Sequence, residues 1–383
     1  MDSKLRIHRI KFSNFHTFLD ATEISFSLDR ETGEVCGGVV SSVLDGAYLS
    51  PVITVAGSER GRANSTKPLT LAAGFISGKR LESFGNGMSF RTHPFAAKKS
   101  GSIAIEFELN DFLYRYVVEF NGIRVVFESL QVKTSKFFSC VFEKDARRSA
   151  IHYDLKTKNF GVTEVALRTA QSGYSIIANA AALGSSLAQS IVSAFSGIAR
   201  CRDFSAPADI LPSDVLAAAD VFSGNERLRR QMASFISGMD EKLDDVVLEK
   251  HQYFFNDGSV SEKHIPYCVR RMPGESDKSR IQPLWNEHRD VLIMFVQLAR
   301  VLPVLHRGGL IIMDRLDEGG GEEYLPSFVE LFLHRDTNPH GAQLLFTANS
   351  LDVLKCVHAS QIYLVRGGHY QRSYQHNAGA LAA

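Results

Sequence analysis

Gly308-Gly309-Leu310-Ile311-Ile312-Met313-Asp314-Arg315-Leu316-Asp317 places four consecutive apolar residues between a glycine pair and an aspartate. Such a run suits a short strand buried on both faces. The closing aspartate then stands at the carboxyl edge of a sheet, where a carboxylate can hold Mg²⁺. A glutamate in the next position would serve to activate water. Arg315 stands there instead, and a guanidinium stays charged at any accessible pH. It cannot accept a proton, although it can pair with a phosphate or an acidic group. The plainer alternative for Asp314 is a helix cap.

Upstream of this strand the pattern predicts a long helix over about Pro283 to His306. Glu275-Ser276-Asp277-Lys278-Ser279 is read as opening it. A serine at a helix start can bind phosphate through the backbone dipole, or act as an ordinary cap. Downstream the expected order is a helix (Tyr324–His334), a strand (Gln343–Thr347), a short helix (Leu351–Cys356) and a last strand (Gln361–Val365). At the other end of the chain, Leu5–Phe12 alternates as a half-buried strand, with Asn14-Phe15 turning toward Ala21–Phe26. Residues 102–143 read as strands separated by the hairpin signals Asn110-Asp111 and Asn121-Gly122. A further hairpin is expected around Asn256-Asp257-Gly258. A helical middle is expected from Val162 to Glu249, broken at Ser205–Pro212.

Val52-Ile53-Thr54-Val55-Ala56-Gly57 is a second apolar run. The expected sequel is a loop from Ser58 to Lys67 and a helix opened by Pro68. Strand, loop and helix in this order can cradle phosphate. The loop needs glycines that turn N–H groups inward, a lysine for the terminal phosphates and a hydroxyl for Mg²⁺. The candidate residues are Gly57, Gly61, Arg62, Asn64, Ser65, Thr66 and Lys67. Ala63 falls where the lysine belongs, Asn64 takes the hydroxyl position, and Glu59 brings a negative charge. Lys67 comes late and precedes a proline.

The whole chain has 383 residues, 44% of them apolar and 22% charged, with a formal net charge of +1. That is an ordinary globular composition without a global field toward nucleic acid or membrane. Arg227-Leu228-Arg229-Arg230 and Arg270-Arg271 are local basic clusters, more typical of a solvated face than of a nucleic-acid site. Five cysteines lie scattered without CxxC spacing, against a zinc site or a disulfide framework. With no signal-like opening, the expected location is the cytoplasm. The Ala- and Ser-rich stretch Ser175–Gly197 reads as a buried helix pair rather than a membrane span.

Together these segments resemble the abortive-infection AbiL-like ATPases, relatives of the SMC/RecF-type ABC heads. The pieces that carry the resemblance are Ile10-Lys11-Phe12-Ser13-Asn14-Phe15, Phe112–Tyr116, Phe127-Glu128-Ser129-Leu130, Phe142-Glu143-Lys144, Leu183–Ala188, Glu275-Ser276-Asp277 and Asn338–Thr347. The resemblance implies an α/β fold: an ABC-type P-loop ATPase head with an antiparallel β lobe and an inserted helical lobe. It divides the chain into an N-terminal lobe (1–160), a helical insertion (161–250), a C-terminal lobe (251–370) and a tail (371–383). It implies ATP and Mg²⁺ as cofactors, with Asp314 on the metal and Ser276 in the signature that faces a second head.

Departures from the family fall on the reactive positions. The phosphate-loop lysine is Ala63, the water-activating glutamate is Arg315 and the phosphate-sensing histidine is Asn349. The signature Gly-Thr is Lys278-Ser279. Loss of a general base alone costs ~10²–10⁴ in rate. The expectation is a pseudo-ATPase that binds ATP and Mg²⁺ without turnover or binds neither. It would act through a self-dimer or a heteromer with an active paralogue or effector in anti-phage defence. Two alternatives stay open. One is an active ATPase with Lys67 or Arg62 for the lysine and Asp317 or Glu318 for the base, controlling an effector nuclease. The other is an SMC-like DNA-binding head.

Overall fold

The computed structural model describes residues 4–42, 46–80, 83, 91–122, 124–147, 151–155, 160–168, 173–201, 210–254, 257, 259–272, 275–316, 324–348, 355–366 and 369–372. The chain opens with β1 (Arg6–Ser13), β2 (Thr22–Ser25), β3 (Ser27–Leu28), α1 (Arg30–Val35), β4 (Val40–Ser41) and β5 (Tyr48–Leu49). β6 (Val52–Gly57) leads into α2 (Glu59–Ser65) and α3 (Lys67–Ile76). Strands β7 (Gly101–Leu109), β8 (Phe112–Asn121), β9 (Arg124–Lys133), β10 (Phe138–Asp145) and β11 (His152–Leu155) follow. Helices α4 (Glu164–Arg168), α5 (Ile176–Ala182) and α6 (Ser186–Ser196) precede β12 (Ala199–Cys201). Next come α7 (Pro212–Ser223), α8 (Glu226–Ser237), β13 (Leu243–Phe254), β14 (Val260–Met272) and β15 (Glu275–Pro283). The chain finishes with α9 (Arg289–Arg307), β16 (Leu310–Met313), α10 (Leu325–Leu333), β17 (Gln343–Thr347), β18 (Ile362–Arg366) and β19 (His369–Arg372).

Two sheets organise the molecule. One is antiparallel, in the order β11-β10-β9-β8-β7-β1-β2; the other runs β12-β16-β17-β6-β18-β19 and is parallel except for its last strand. The parallel strands are buried on both faces, which explains their unbroken apolar runs. Ile53, Val55, Leu310, Ile312 and Leu345 face one core, shared with β1, β7, β8, α3, α5 and α6. Their neighbours Val52, Ile311, Met313, Leu344 and Phe346 face a second core, built on α7, α8, α9 and α10. The parallel sheet is therefore a central layer, and side-chain alternation along each strand feeds both cores. These layers agree with the expected mixed α/β class with an antiparallel sheet.

Glutamine and tyrosine side chains stitch the two sheets together. Gln343 accepts from the Ile7 amide at 2.7 Å and donates to the Ile7 carbonyl at 2.8 Å. The Ser25 amide donates to the Tyr363 hydroxyl at 2.8 Å. Asn14, at φ +48, suits the left-handed turn expected there. Its side chain accepts from the His93 amide and donates to the Ala96 and Lys99 carbonyls.

Several expectations need correction. Ser58–Lys67 is not a loop: α2 begins two residues after β6 ends, and Lys67 already belongs to α3. Glu275–Ser279 does not open a helix; it lies in β15, paired with β14, and α9 starts only at Arg289. The helical middle stops short of Glu249, because β13 begins at Leu243. The helix pair over Ser175–Gly197 is present as α5 and α6. No single helix among the described residues is long and apolar enough to cross a membrane; α5 and α6 reach that length together, but are bent by 117°. The expected short helix at Leu351 lies outside the described residues except for Lys355 and Cys356, and the tail does so except for Gln371 and Arg372, which end β19.

Candidate functional site

In a parallel sheet, ligands are met at the carboxyl ends of the strands. Here that edge is formed by Gly57 of β6, Met313 of β16, Thr347 of β17 and Val365 of β18, which neighbour one another through the strand register. Asp314 follows β16 directly. Its Oδ1 accepts a short hydrogen bond from the Thr347 hydroxyl, and that same oxygen of Thr347 accepts from the Arg315 amide at 2.8 Å. The Leu316 amide closes the turn on the Thr347 carbonyl. Arg315 sits at φ +52, a left-handed conformation uncommon for a residue with a Cβ. Thr347 thus locks the whole Asp314–Leu316 turn onto β17. Sequence reading had passed over it, although a strand that ends in small polar residues was the available signal.

Lys67 is brought to the same edge. Its ammonium donates to Asn64 Oδ1 at 2.8 Å, and Asn64 Nδ2 reaches the Thr17 hydroxyl at 3.4 Å. Burial pushes the Lys67 pKa below the ordinary lysine value; Asp314 opposes that shift, and Arg91 adds to it. Lys67, Asn64 and Thr17 thus form one hydrogen-bonded group and Asp314 and Thr347 another, related through the charge interaction of Lys67 with Asp314; nothing in the sequence pattern marked Thr17 or Arg91.

The two glycines have a different use from the one expected. Gly57 lies at φ +119, and a Cβ there would come within 2.3 Å of the Val365 carbonyl oxygen. A Cβ on Gly61 would come within 2.2 Å of Val365 Cγ1. Both glycines let α2 press against β18. The Ser58 amide is taken by the Val365 carbonyl, and the Ser58 carbonyl accepts from the Arg62 amide. The segment is helical from Glu59, with the Ser58 amide already taken by Val365, and is not the glycine-rich loop that wraps a triphosphate.

Arg62 is 4% exposed, and its Nε and Nη1 have no hydrogen-bond partner among the described residues. The Ser65 hydroxyl folds back on the Arg62 carbonyl at 2.6 Å, and Thr66 is buried between the two helices. Ser276 belongs to β15, in a separate three-stranded sheet. Asn349, Asp317 and Glu318 lie outside the described residues. Among the described residues, no three His, Cys, Asp or Glu side chains gather as a metal-binding group.

The basic cluster on α8 is internally paired. Arg229 and Arg230 both reach Glu226, at 2.8 and 3.0 Å. Those hydrogen bonds hold the Glu226 carboxyl down at about 2.

No family model matches the chain, and no curated protein matches it. Solved structures do. The SMC head domain from Thermotoga maritima aligns over 96% of this chain and 98% of its own, at 13% identity and a TM-score of 0.43. An Smc head bound to the C-terminal winged-helix domain of ScpA aligns over 95% and 96%, at 11% identity and a TM-score of 0.45. An Smc head with an extended coiled coil, bound to the C-terminal domain of ScpA derived from Pyrococcus furiosus, aligns over 96% and 95%, at 10% identity and a TM-score of 0.46.

Proposed function

We propose that this chain is a degenerate ABC-type ATPase head that has lost ATP turnover and works as a structural or regulatory interaction subunit. One observation supports this above the others. Where a phosphate loop would have to stand, β6 ends at Gly57 and Glu59–Ser65 is already helix α2, with Val365 filling the space beside Gly57 and Gly61. Around it, Arg315 replaces the proton acceptor, and the Lys67 ammonium is engaged by Asn64. The partner class is a second copy of the chain, an active paralogue or an effector protein. The setting in anti-phage defence rests on the sequence resemblance to AbiL-like ATPases.

Turnover assays and Mg²⁺·ATP calorimetry on the intact chain test this reading. The expected result is no hydrolysis above background. A turnover of order 1 s⁻¹, ordinary for an enzyme, would overturn it. A second reading has its own support, since Lys67 reaches the same strand edge as Asp314 and is coupled to it. In that reading Lys67 grips phosphate from an unusual position, and Lys67→Ala abolishes nucleotide binding. For a DNA-binding head, retention on DNA must fall steeply with salt and with Arg229→Ala. The pairing of Arg229 with Glu226 speaks against it.

A further inference from the structure

Asn14, buried at the end of β1, holds a projecting segment in place, residues 91–100. Its Oδ1 accepts from the His93 amide at 2.9 Å, and its Nδ2 donates to the Ala96 and Lys99 carbonyls at 3.0 and 2.9 Å. The neighbouring His16 amide donates to the Arg91 carbonyl at 2.7 Å. A single helical turn, Pro94–Ala96, forms the tip, and His93 caps it: Nδ1 accepts from the Phe95 amide at 3.2 Å. The His93 carbonyl takes the Ala96 amide and the Ala96 carbonyl takes the Lys99 amide, both at 2.9 Å. The Thr92 hydroxyl reaches the Ala97 carbonyl at 3.4 Å. The segment is thus a fixed projection whose backbone finds partners within itself, on Asn14 and on His16.

What this projection presents to solvent is an apolar tip inside a cationic rim. Phe95 is 89% exposed, more than any other large apolar side chain among the described residues. Pro94 and Ala97 beside it are exposed, and so are Arg91, Lys98 and Lys99. No acidic residue occurs between 91 and 100. We propose that this tip docks on an anionic lipid surface, with Phe95 entering the headgroup boundary and Arg91, Lys98 and Lys99 meeting the lipid phosphates. An exposed aromatic ring and a cluster of cations act together at such a boundary, one through apolar burial and the other through charge attraction. Two observations favour lipid over a single-stranded nucleic acid, the other polyanion that such a patch attracts. Strand binders stack successive bases on several rings, whereas this loop carries one phenyl ring. A loop entering less polar surroundings must also bring its amides and carbonyls already paired, which the bonds to Asn14 and His93 accomplish.

The whole chain carries a formal net charge of only +1, so the attraction resides in the loop rather than in a global field. The one acid of the adjoining turn after β1 is Asp20, itself exposed, and it opposes part of that attraction. One ring and three cations give a reversible attachment, far from the insertion of a spanning helix. The loop also neighbours the strand edge, since the Arg91 charge bears on Lys67. Docking would therefore hold that edge close to the lipid surface, whether or not the head turns over ATP.

Co-sedimentation of the intact chain with vesicles tests the tip, at low salt and with single-stranded DNA as the competing polyanion. Vesicles of phosphatidylcholine mixed with phosphatidylglycerol should bind the chain, and pure phosphatidylcholine should not. Replacing both lysines, Lys98→Ala with Lys99→Ala, should weaken binding ~30-fold. Phe95→Ser should weaken it ~10-fold, and Phe95→Trp should keep it, because indole suits the lipid–water boundary. These side chains are exposed, so the variants leave the packed core untouched. The proposal is overturned by an absence of binding to the anionic vesicles, or by capture on single-stranded DNA in their place. Binding that is unmoved by Phe95→Ser, unmoved by the lysine pair or lost in Phe95→Trp overturns it equally.

Discussion

Two buried charged groups, Glu128 and Arg62, sit at comparable depth and live in opposite circumstances. Glu128 has donors on both oxygens, from a tyrosine and from helix amides. Arg62 has two nitrogens sealed from water with no acceptor among the described residues. Burial alone therefore does not say whether a charge holds a fold together. A carboxylate can shed its charge by taking a proton, whereas a guanidinium cannot. The same depth gives a titratable anchor in one place and a standing penalty in the other.

The comparison can be broken by substitution. Glu128→Ala strands the Tyr116 hydroxyl and the Ile176 amide in the core and leaves a cavity. At pH 6 it should destabilise the chain by about 3–5 kcal/mol in denaturant unfolding. A loss under 1 kcal/mol would show that water replaces the carboxylate.

The pH dependence sharpens it. Because the folded carboxyl binds its proton more tightly than the unfolded one, its contribution is fully present below pH 4.5 and is lost as pH rises through about 7. The share amounts to about 3 kcal/mol and is read as the difference between wild type and Glu128→Gln. Glu287, held low chiefly by Arg270, contributes in the opposite direction, so wild type alone does not isolate Glu128.

Arg62→Met is expected to raise stability by about 1–3 kcal/mol, since an apolar side chain of similar reach removes two buried donors that have no acceptor among the described residues. A fall in stability instead would mean that the guanidinium has found an acceptor in solution. Smallest of all, Glu226→Gln should leave the melting temperature unchanged. Its ion pairs with Arg229 and Arg230 lie on the solvent-exposed face of α8, where such pairs contribute little.

Much of the frame was legible from residues alone. β6, β16 and β17 declare themselves by short apolar runs, because strands buried on both faces leave no room for polar alternation. The hairpins of β7 to β9 are marked by their polar dipeptides, and α5 and α6 by a small-residue apolar stretch. The strand edge near Asp314 was legible as a place, since one residue ends the run. What gathers there was not. Gly57 and Gly61 look like turn punctuation in a polar segment, yet they are small because Val365, some three hundred residues away in sequence, occupies the space beside them. Glu275–Ser279 has little strand propensity of its own and takes strand form against β14. Glu128 looks like any polar residue in an alternating strand until Ile176 is seen above it.

The sequence by itself determined where β6, β16 and β17, the β7–β9 hairpins and the α5–α6 pair form, because hydrophobic period and turn chemistry act over a few neighbours. Only the tertiary structure decided which charges are paired. Hydrogen-bond partners such as Glu128 with Ile176, or Thr347 with Asp314, come from distant segments whose approach is set by packing. Local composition holds no record of that approach.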